Sequence, residues 1–475
     1  MRAMRAQRVR GTSVTRTVTL MLLLGATALP AQTPPARKET PPTPGTPKDF
    51  RLPPRRTIDL PNGMKLTLVP YGRVPKVAIE LEVRTGTIDE GPNDVALASV
   101  TADMLREGTT TRGAADLSRQ AADMGGGLSV NSGAEVVSIG GEVLSEFAPR
   151  FIALIADVAR NPRIDSTDLG RILDKHVRDN AMALAQPGTL AQKKYREITY
   201  GSHPFARIFP AEAELRAITT DRVRAFHARN YSAARAHLYV SGIYDAGAVE
   251  KAVRDAFRDW PAGSPPTVNP PVPVARRQLE LIDRPNAVQS SMWMGLPVSD
   301  PSATDWVALT VTDALLGGAF GSRITSNIRE DKGYTYSPFS FVWARRQSAQ
   351  WVEVADVTTN VTGASLKEII GEMERLRAEP PPDVELTGIK NNLAGVFAIQ
   401  NSSRAGVIGQ LQFTDLHGLG PEYLQNYVRN ILAVTPQQVQ AVAQKHLDPQ
   451  KLSIAIVGDR KIVEPQLGAF RPIVP

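Results

Sequence analysis

Arg329 and Tyr336 stand seven residues apart in Arg329-Glu330-Asp331-Lys332-Gly333-Tyr334-Thr335-Tyr336. A guanidinium and a phenol are both donors suited to holding a carbonyl or a developing oxyanion. Whether the two can meet depends on the elements that carry them. Gly317, Gly318 and Gly321 close an apolar helical run from Trp306 to Leu316. Ser322 is then a suitable N-cap for a short helix with Ile324 and Ile328 on one face. Lys332 falls in its last turn, and Gly333 supplies the left-handed residue past the end. The aromatic and β-branched Tyr334-Thr335-Tyr336 predicts a strand, with Tyr334 and Tyr336 on the same face. A tight glycine turn between helix and strand would bring the guanidinium and the phenol to one spot. The plainer alternative is a helix–turn–strand with a solvated Arg and a half-buried Tyr.

The whole string, from Gly317-Gly318 through Ser322-Arg323-Ile324 to Tyr336, resembles the C-terminal half of the pitrilysin/insulinase-type zinc metallopeptidases. That family includes the mitochondrial processing peptidase. The resemblance implies that Arg329 and Tyr336 grip a substrate backbone beside a zinc held by the other half. It also implies two similar αβ halves facing each other around a chamber. It extends over roughly residues 57–470, taking in Arg112, Gly126-Gly127 and His203-Pro204-Phe205 in the first half.

A chain of 475 residues is long enough for two to four domains, and 42% hydrophobic with 22% charged residues is ordinary globular composition. The first 31 residues differ. Arg2, Arg5, Arg8, Arg10 and Arg16 precede a short apolar run, Val18 to Leu29, with Ala26, Ala28 and Ala31 at its end. This is the layout of a secretory signal peptide, too short to span a bilayer comfortably, with cleavage after Ala28 or after Ala31. A retained membrane anchor is the alternative. Export to the periplasm or the medium is therefore expected, with no integral membrane segment once the signal is removed. The same five arginines, unaccompanied by acid, account for most of the net charge of +7, which falls to +2 without them. No basic stripe interleaved with aromatics is present, so no nucleic-acid partner is expected. With no cysteine there are neither disulfides nor a cysteine-borne lipid anchor. Residues 32–55 are Pro-rich and read as a flexible leader.

Folded chain is expected from residue 56. Asn62-Gly63 predicts a two-residue hairpin turn, and Lys65–Val69 and Val77–Val83 alternate as strands. Val95 to Leu105 reads as a helix. A repeat then emerges at an offset of 216: Thr219 matches Thr435, Val223 Val439, Leu238 and Val240 Ile454 and Ile456, and Gly242 Gly458. Each copy reads as helix, short turn and strand. Ala102-Asp103-Met104-Leu105 likewise parallels Thr312-Asp313-Ala314-Leu315, at an offset of 210. The expectation is an α+β fold of two tandem homologous halves, 56–260 and 276–475, built of mixed or antiparallel sheets packed with helices. The Pro-rich stretch 261–275 would be a semi-rigid linker between them.

In the first half the family's zinc motif, His-x-x-Glu-His on a helix, should follow Ala96-Leu97-Ala98 and precede Met104-Leu105-Arg106-Glu107-Gly108-Thr109. Two His at i and i+4 share one helix face and reach one metal, and the Glu is placed to deprotonate metal-bound water. Here the helix reads Ser99-Val100-Thr101-Ala102-Asp103, so Ser99 and Asp103 replace the two His and Ala102 replaces the base. The third ligand, a Glu in the family, should fall near Asp174-Lys175-His176, where no Glu stands. One weak carboxylate does not hold a catalytic zinc, which needs about three protein ligands, and alanine cannot act as a base. None of His176, His203, His227, His237, His417 and His446 pairs with another at helical spacing or lies in a recognisable carboxylate cluster. Gly125-Gly126-Gly127 lacks a dinucleotide fingerprint and reads as the bend into an edge strand.

No cofactor is expected in this chain. The leading expectation is a zinc-free subunit of an exported heterodimeric metallopeptidase. A homologous partner would bring His-x-x-Glu-His and the zinc, and this chain would contribute Arg329 and Tyr336 to peptide hydrolysis. Leu128-Ser129-Val130-Asn131-Ser132 occupies the place of the strand on which the family pairs extended peptides, and it would guide substrate through backbone hydrogen bonds. The alternative is a non-catalytic binding or assembly protein of the same fold.

Overall fold

The computed structural model describes residues 53–266 and 268–471. The expected signal peptide, and the leader up to residue 52, lie outside the described residues. Two sheets organise the chain. The first comprises β1 (Arg56–Asp59), β2 (Lys65–Pro70), β3 (Lys76–Val83), β4 (Ser129–Ser132), β5 (Val137–Leu144) and β6 (Ala236–Gly242), in the order β1-β2-β6-β3-β5-β4. The second comprises β7 (Gln278–Asp283), β8 (Gln289–Val298), β9 (Phe339–Arg345), β10 (Ser348–Thr358) and β11 (Ser453–Gly458), in the order β7-β11-β8-β10-β9.

The two orders are the same apart from the added β1. The senses agree as well: β2 with β6 and β7 with β11 are parallel, and every other pairing is antiparallel. Register carries the duplication to single residues. Leu81 faces Leu238 across β3 and β6, and Met294 faces Ile454 across β8 and β11; Leu238 and Ile454 are 216 residues apart, and their partners Leu81 and Met294 are 213 apart. The capping threonines also repeat. Thr219 and Thr435 accept from the backbone N–H groups of Arg222 and Gln438 and start the Thr220–Asn230 and Pro436–His446 helices.

One face of each sheet is packed by helices of its own half. Phe151, Ile155 and Val253 lie in the first core, and Leu366, Ile369 and Val439 in the second. The opposite faces are covered, in large part, by exchange. The Pro187–Tyr200 helix of the first half lies on β8 and β11, with Tyr195 against Val352 and Ala455. Reciprocally, the Arg404–His417 helix of the second half lies on β3 and β6, with Val407, Ile408 and Leu411 against Val69, Ala78 and Tyr239. Both helices have 14 residues. Tyr195 approaches so closely that a Cβ at Gly295 would lie 2.4 Å from its hydroxyl. The Arg404 guanidinium grips Glu142 through two bonds of 2.9 and 3.0 Å, and the Tyr239 hydroxyl donates to Asp415 at 2.7 Å.

Two local expectations are corrected. The first hairpin has no two-residue turn: Gly63 N–H donates to Leu60 O and Leu60 N–H to Met64 O. Pro61 and Asn62 form the turn, and Gly63 follows at φ +90°, the left-handed position of a three-residue hairpin. Nor does Tyr334–Tyr336 form a strand. The N–H groups of Gly333 and Tyr334 donate back to Arg329 O and Ile328 O at the helix end, and only Thr335 bridges, to Val357. Pro338 brings no donor, and β9 starts after it at Phe339. Tyr334 therefore turns into the second core while Tyr336 stands 78% exposed, so the two do not share a face.

Candidate functional site

The segment bearing Arg329 folds much as its caps foretell. The Ser322 side chain accepts from Thr325 N–H, and Arg323–Thr325 is α-helical. The chain then widens to a π-turn over Ser326–Asp331, with Lys332 N–H reaching Asn327 O. Gly333 adopts φ +65° and its N–H donates to Arg329 O, the αL form of helix end, while Tyr334 N–H reaches back to Ile328 O. Ile324 and Ile328 are fully buried, which turns Arg329 outward.

Arg329 and Tyr336 do meet. The guanidinium carbon lies 4.8 Å from the centroid of the Tyr336 ring and 4.6 Å from that of Phe320. The Arg329 Nε lies 2.9 Å from a Glu330 carboxylate oxygen, an ion pair. Such stacking orients a guanidinium and leaves its edge donors available. Both rings are largely exposed, Phe320 at 75%. Phe320 was not legible as a partner, because it sits in the glycine-flanked loop Ala319-Phe320-Gly321 and only the fold brings it over Arg329.

The degenerate metal position is occupied by an ion-pair cluster. On the Leu97–Arg106 helix, Ala102 is buried, Ser99 donates to Ala96 O at 2.9 Å, and Asp103 faces outward. Asp103 Oδ2 is 2.8 Å from His176 Nε2 on the Ser166–Leu184 helix, and its Oδ1 accepts from Arg106. Burial alone would raise the Asp103 carboxyl, but the His176 bond and the Arg106 charge hold it below its usual value. The residues do not fit zinc. One carboxylate and one imidazole fall short of three ligands, and a guanidinium already bonds the carboxylate. Among the described residues no group of three or more His, Cys, Asp or Glu is placed to hold a metal. His176 does fall in the stretch where a third ligand was sought, whereas Asp174 pairs with Arg216.

Three of the six histidines meet single carboxylates and none joins a larger cluster among the described residues. His176 meets Asp103, His446 Nε2 lies 2.8 Å from Asp305, and His237 Nδ1 lies 3.4 Å from Asp415. Each partner is remote in sequence, so no local spacing could reveal it.

The segment Leu128–Ser132 contains β4, Ser129–Ser132, at the edge of the first sheet and paired, among the described residues, only with β5. Leu128 packs partly on the first core and Val130 is buried, while Ser129, Asn131 and Ser132 are exposed. Gly133 N–H bonds Val136 O, so Asn131 and Ser129 occupy hydrogen-bonded positions of the ladder. Val130 and Ser132 therefore turn their backbone groups to the free edge.

A duplicated α+β chain with an arginine–tyrosine pair in its second half, and with Ser99, Ala102 and Asp103 on the helix where a metal motif was expected, defines a metallopeptidase-like fold. The comparisons give the family. The pattern for insulinase (peptidase family M16) matches residues 70–209, and that for the peptidase M16 inactive domain matches residues 217–393. The chain belongs to peptidase family M16, the pitrilysin/insulinase type. A Mycobacterium bovis protein named an uncharacterized zinc protease is 25% identical over 420 residues, covering 86% of this chain and 93% of its own. One of the same description from Streptomyces coelicolor is 23% identical over 416 residues, covering 86% and 90%. The crystal structure of a peptidase M16 inactive domain from Pseudomonas fluorescens superposes with a TM-score of 0.79 at 24% identity, covering 85% of this chain and 98% of that one. A Helicobacter pylori protease superposes at 0.80 with 16% identity, covering 86% and 100%.

Proposed function

We propose that the chain is the zinc-free subunit of an exported, heterodimeric M16 metallopeptidase. The observation that supports this most is the asymmetry between the halves. The metal helix has become an Asp103–His176–Arg106 cluster with Ala102 in place of the base. The second half holds Arg329 stacked on Tyr336. A homologous partner carrying His-x-x-Glu-His would supply zinc and base. This chain would supply the Tyr336 hydroxyl to the oxygen of the scissile carbonyl as charge builds on it, and Arg329 to a neighbouring substrate carbonyl. The exchanged helices occupy much of the faces between the two halves, so an enclosed chamber calls for a second chain. The free edge of β4 would pair with an extended peptide.

The test is reconstitution. The purified mature chain should hold well below one zinc per chain by elemental analysis and cut no peptide, and mixing with the His-x-x-Glu-His homologue should produce hydrolysis. Stoichiometric zinc that survives dialysis of the chain alone would overturn the reading. A stable pair that never hydrolyses peptide would favour the non-catalytic assembly protein instead.

A further inference from the structure

Strand β9 alternates Phe339, Phe341, Trp343 and Arg345 along one face. The Phe339 and Phe341 rings stack at 5.8 Å, Phe341 meets Trp343 edge-on at 6.2 Å, and Trp293 of β8 touches both Phe341 and Trp343. Phe339 is 47% exposed and the other three rings are half-buried, so the Pro187–Tyr200 helix covers this face incompletely. Among the described residues the outer edge of β9 is unpaired.

At the far end of this aromatic row two cations converge. The guanidinium carbons of Arg196, from the Pro187–Tyr200 helix, and of Arg345 lie 4.8 and 4.9 Å from the Trp343 ring centroid. Arg196 is only 7% exposed. Its Nε donates to Phe205 O at 2.6 Å, and Arg345 Nη1 donates to the neighbouring Ala344 O at 3.1 Å. The Arg345 Nε is buried without a partner, and neither arginine forms an ion pair among the described residues. The charged groups nearby are mostly cations: Arg84 and Arg346 join them around Glu135, whose two oxygens accept from the Arg346 backbone N–H at 3.2 and 3.3 Å. Burial and the Arg345 charge pull Arg196 down to about 10, so it is charged at neutral pH. Glu135 is a counter-charge to Arg345 but is shared with Arg84 and Arg346, so with Arg196 four guanidiniums face one carboxylate, and a further anion would offset the excess.

We infer that Arg196 and Arg345 form a carboxylate site that anchors the C-terminus of a peptide laid along the aromatic face of β9. A guanidinium fork matches a carboxylate geometrically, and an aromatic floor suits apolar side chains beside it. From Phe339 to Arg345 a strand advances about 20 Å, room for roughly six residues of extended peptide between the Arg329–Tyr336 end and the anchor. This inference rests on the peptide-binding reading of the proposed function, but its test needs neither the partner subunit nor turnover.

The probe is a ten-residue peptide rich in Phe, Leu and Val with a free C-terminal carboxylate, compared by calorimetry with its C-terminal amide on the full mature chain. The acid should bind about 10- to 100-fold more tightly, as expected for a charge-assisted contact. Arg345→Met, which keeps the apolar stem, should erase the difference between acid and amide, and Arg345→Lys should restore part of it. Arg196→Met should act alike; if it fails to fold, Arg345→Met carries the decision. Arg329→Ala should leave the acid-to-amide ratio intact, which separates failure of this site from failure of the Arg329–Tyr336 reading. Equal binding of acid and amide, or a ratio unchanged in Arg345→Met, would overturn the inference. Inorganic phosphate or acetate saturating the site at the peptide's own affinity would overturn the peptide assignment in favour of a free small anion.

Discussion

At Tyr336 one hydroxyl separates the catalytic reading from the assembly reading. Tyr336→Phe keeps the ring that stacks on Arg329 and deletes only the donor. In the reconstituted pair, turnover should fall by about 100- to 1000-fold with little change in KM, the loss typical of a positioned oxyanion donor. Arg329→Ala should also raise KM, because it removes ground-state anchoring, and Arg329→Lys should not rescue it, since a point charge cannot reproduce a stacked planar fork. Phe320→Ala removes the second ring over the guanidinium and should shift KM in the same direction as Arg329→Ala. Tyr334→Phe is the control. Its side chain packs on the second core, so the change should leave steady-state rates near wild type. Unaltered kinetics in both Tyr336→Phe and Arg329→Ala would remove the catalytic role.

Among the elements, β4 and β10 carry separate predictions. If β4 pairs with substrate, the residue to alter is Ser132, because its backbone N–H faces the free edge and its side chain is exposed, whereas Val130 fills the first core. Ser132→Pro should weaken peptide binding to the pair while the melting temperature stays within a few degrees, since edge strands tolerate proline. Undiminished affinity would mean that β4 is an ordinary edge. On β10, Glu353 is wholly buried with neither carboxylate oxygen bonded among the described residues, and Gly317 leaves the space its side chain needs. Nearby, Asp313 accepts from Ser340 at 2.6 Å. Burial raises Glu353 well above the usual carboxylate range, with the Asp313 charge adding to it, and burial pushes Asp313 up to about 6. The folded chain therefore keeps protons that the unfolded chain releases. Stability should fall by about 1.4 kcal/mol per pH unit for each such group, from near its ordinary carboxyl value up to its raised folded value. Glu353→Gln should flatten that decline between pH 5 and 8 in denaturant titrations. A mutant profile parallel to wild type would show that Glu353 is not the group responsible.

For the whole molecule, exchange of the Pro187–Tyr200 and Arg404–His417 helices makes each half the lid of the other. Unfolding one half strips an apolar face from the other sheet, so the two should melt as one calorimetric transition. Leu411, 1% exposed, packs the second half's helix onto the first half's sheet. Leu411→Ala should cost about 2–5 kcal/mol and lower that single transition without splitting it. Two resolved transitions in the variant, one at the wild-type temperature, would show that the halves fold independently.

What the residues determined locally was read from them directly. Ser322 and Gly333 bound the short helix, the two capping threonines mark the duplication, and Ala102 cannot be a base in any fold. Caps, periodicity and side-chain chemistry act within a few residues and need no tertiary context. Tertiary structure decided which remote groups meet: His176 with Asp103, Phe320 with Arg329, Arg196 with Arg345, and each exchanged helix with the opposite sheet. Those partners come from different elements, and no local period records them. The misread strand at Tyr334–Tyr336 shows the same limit from the other side. Its residues favour a strand, but the backbone donors of Gly333 and Tyr334 are drawn back to the helix end and Pro338 offers none. Where hydrogen bonds are committed by neighbouring structure, intrinsic propensity yields.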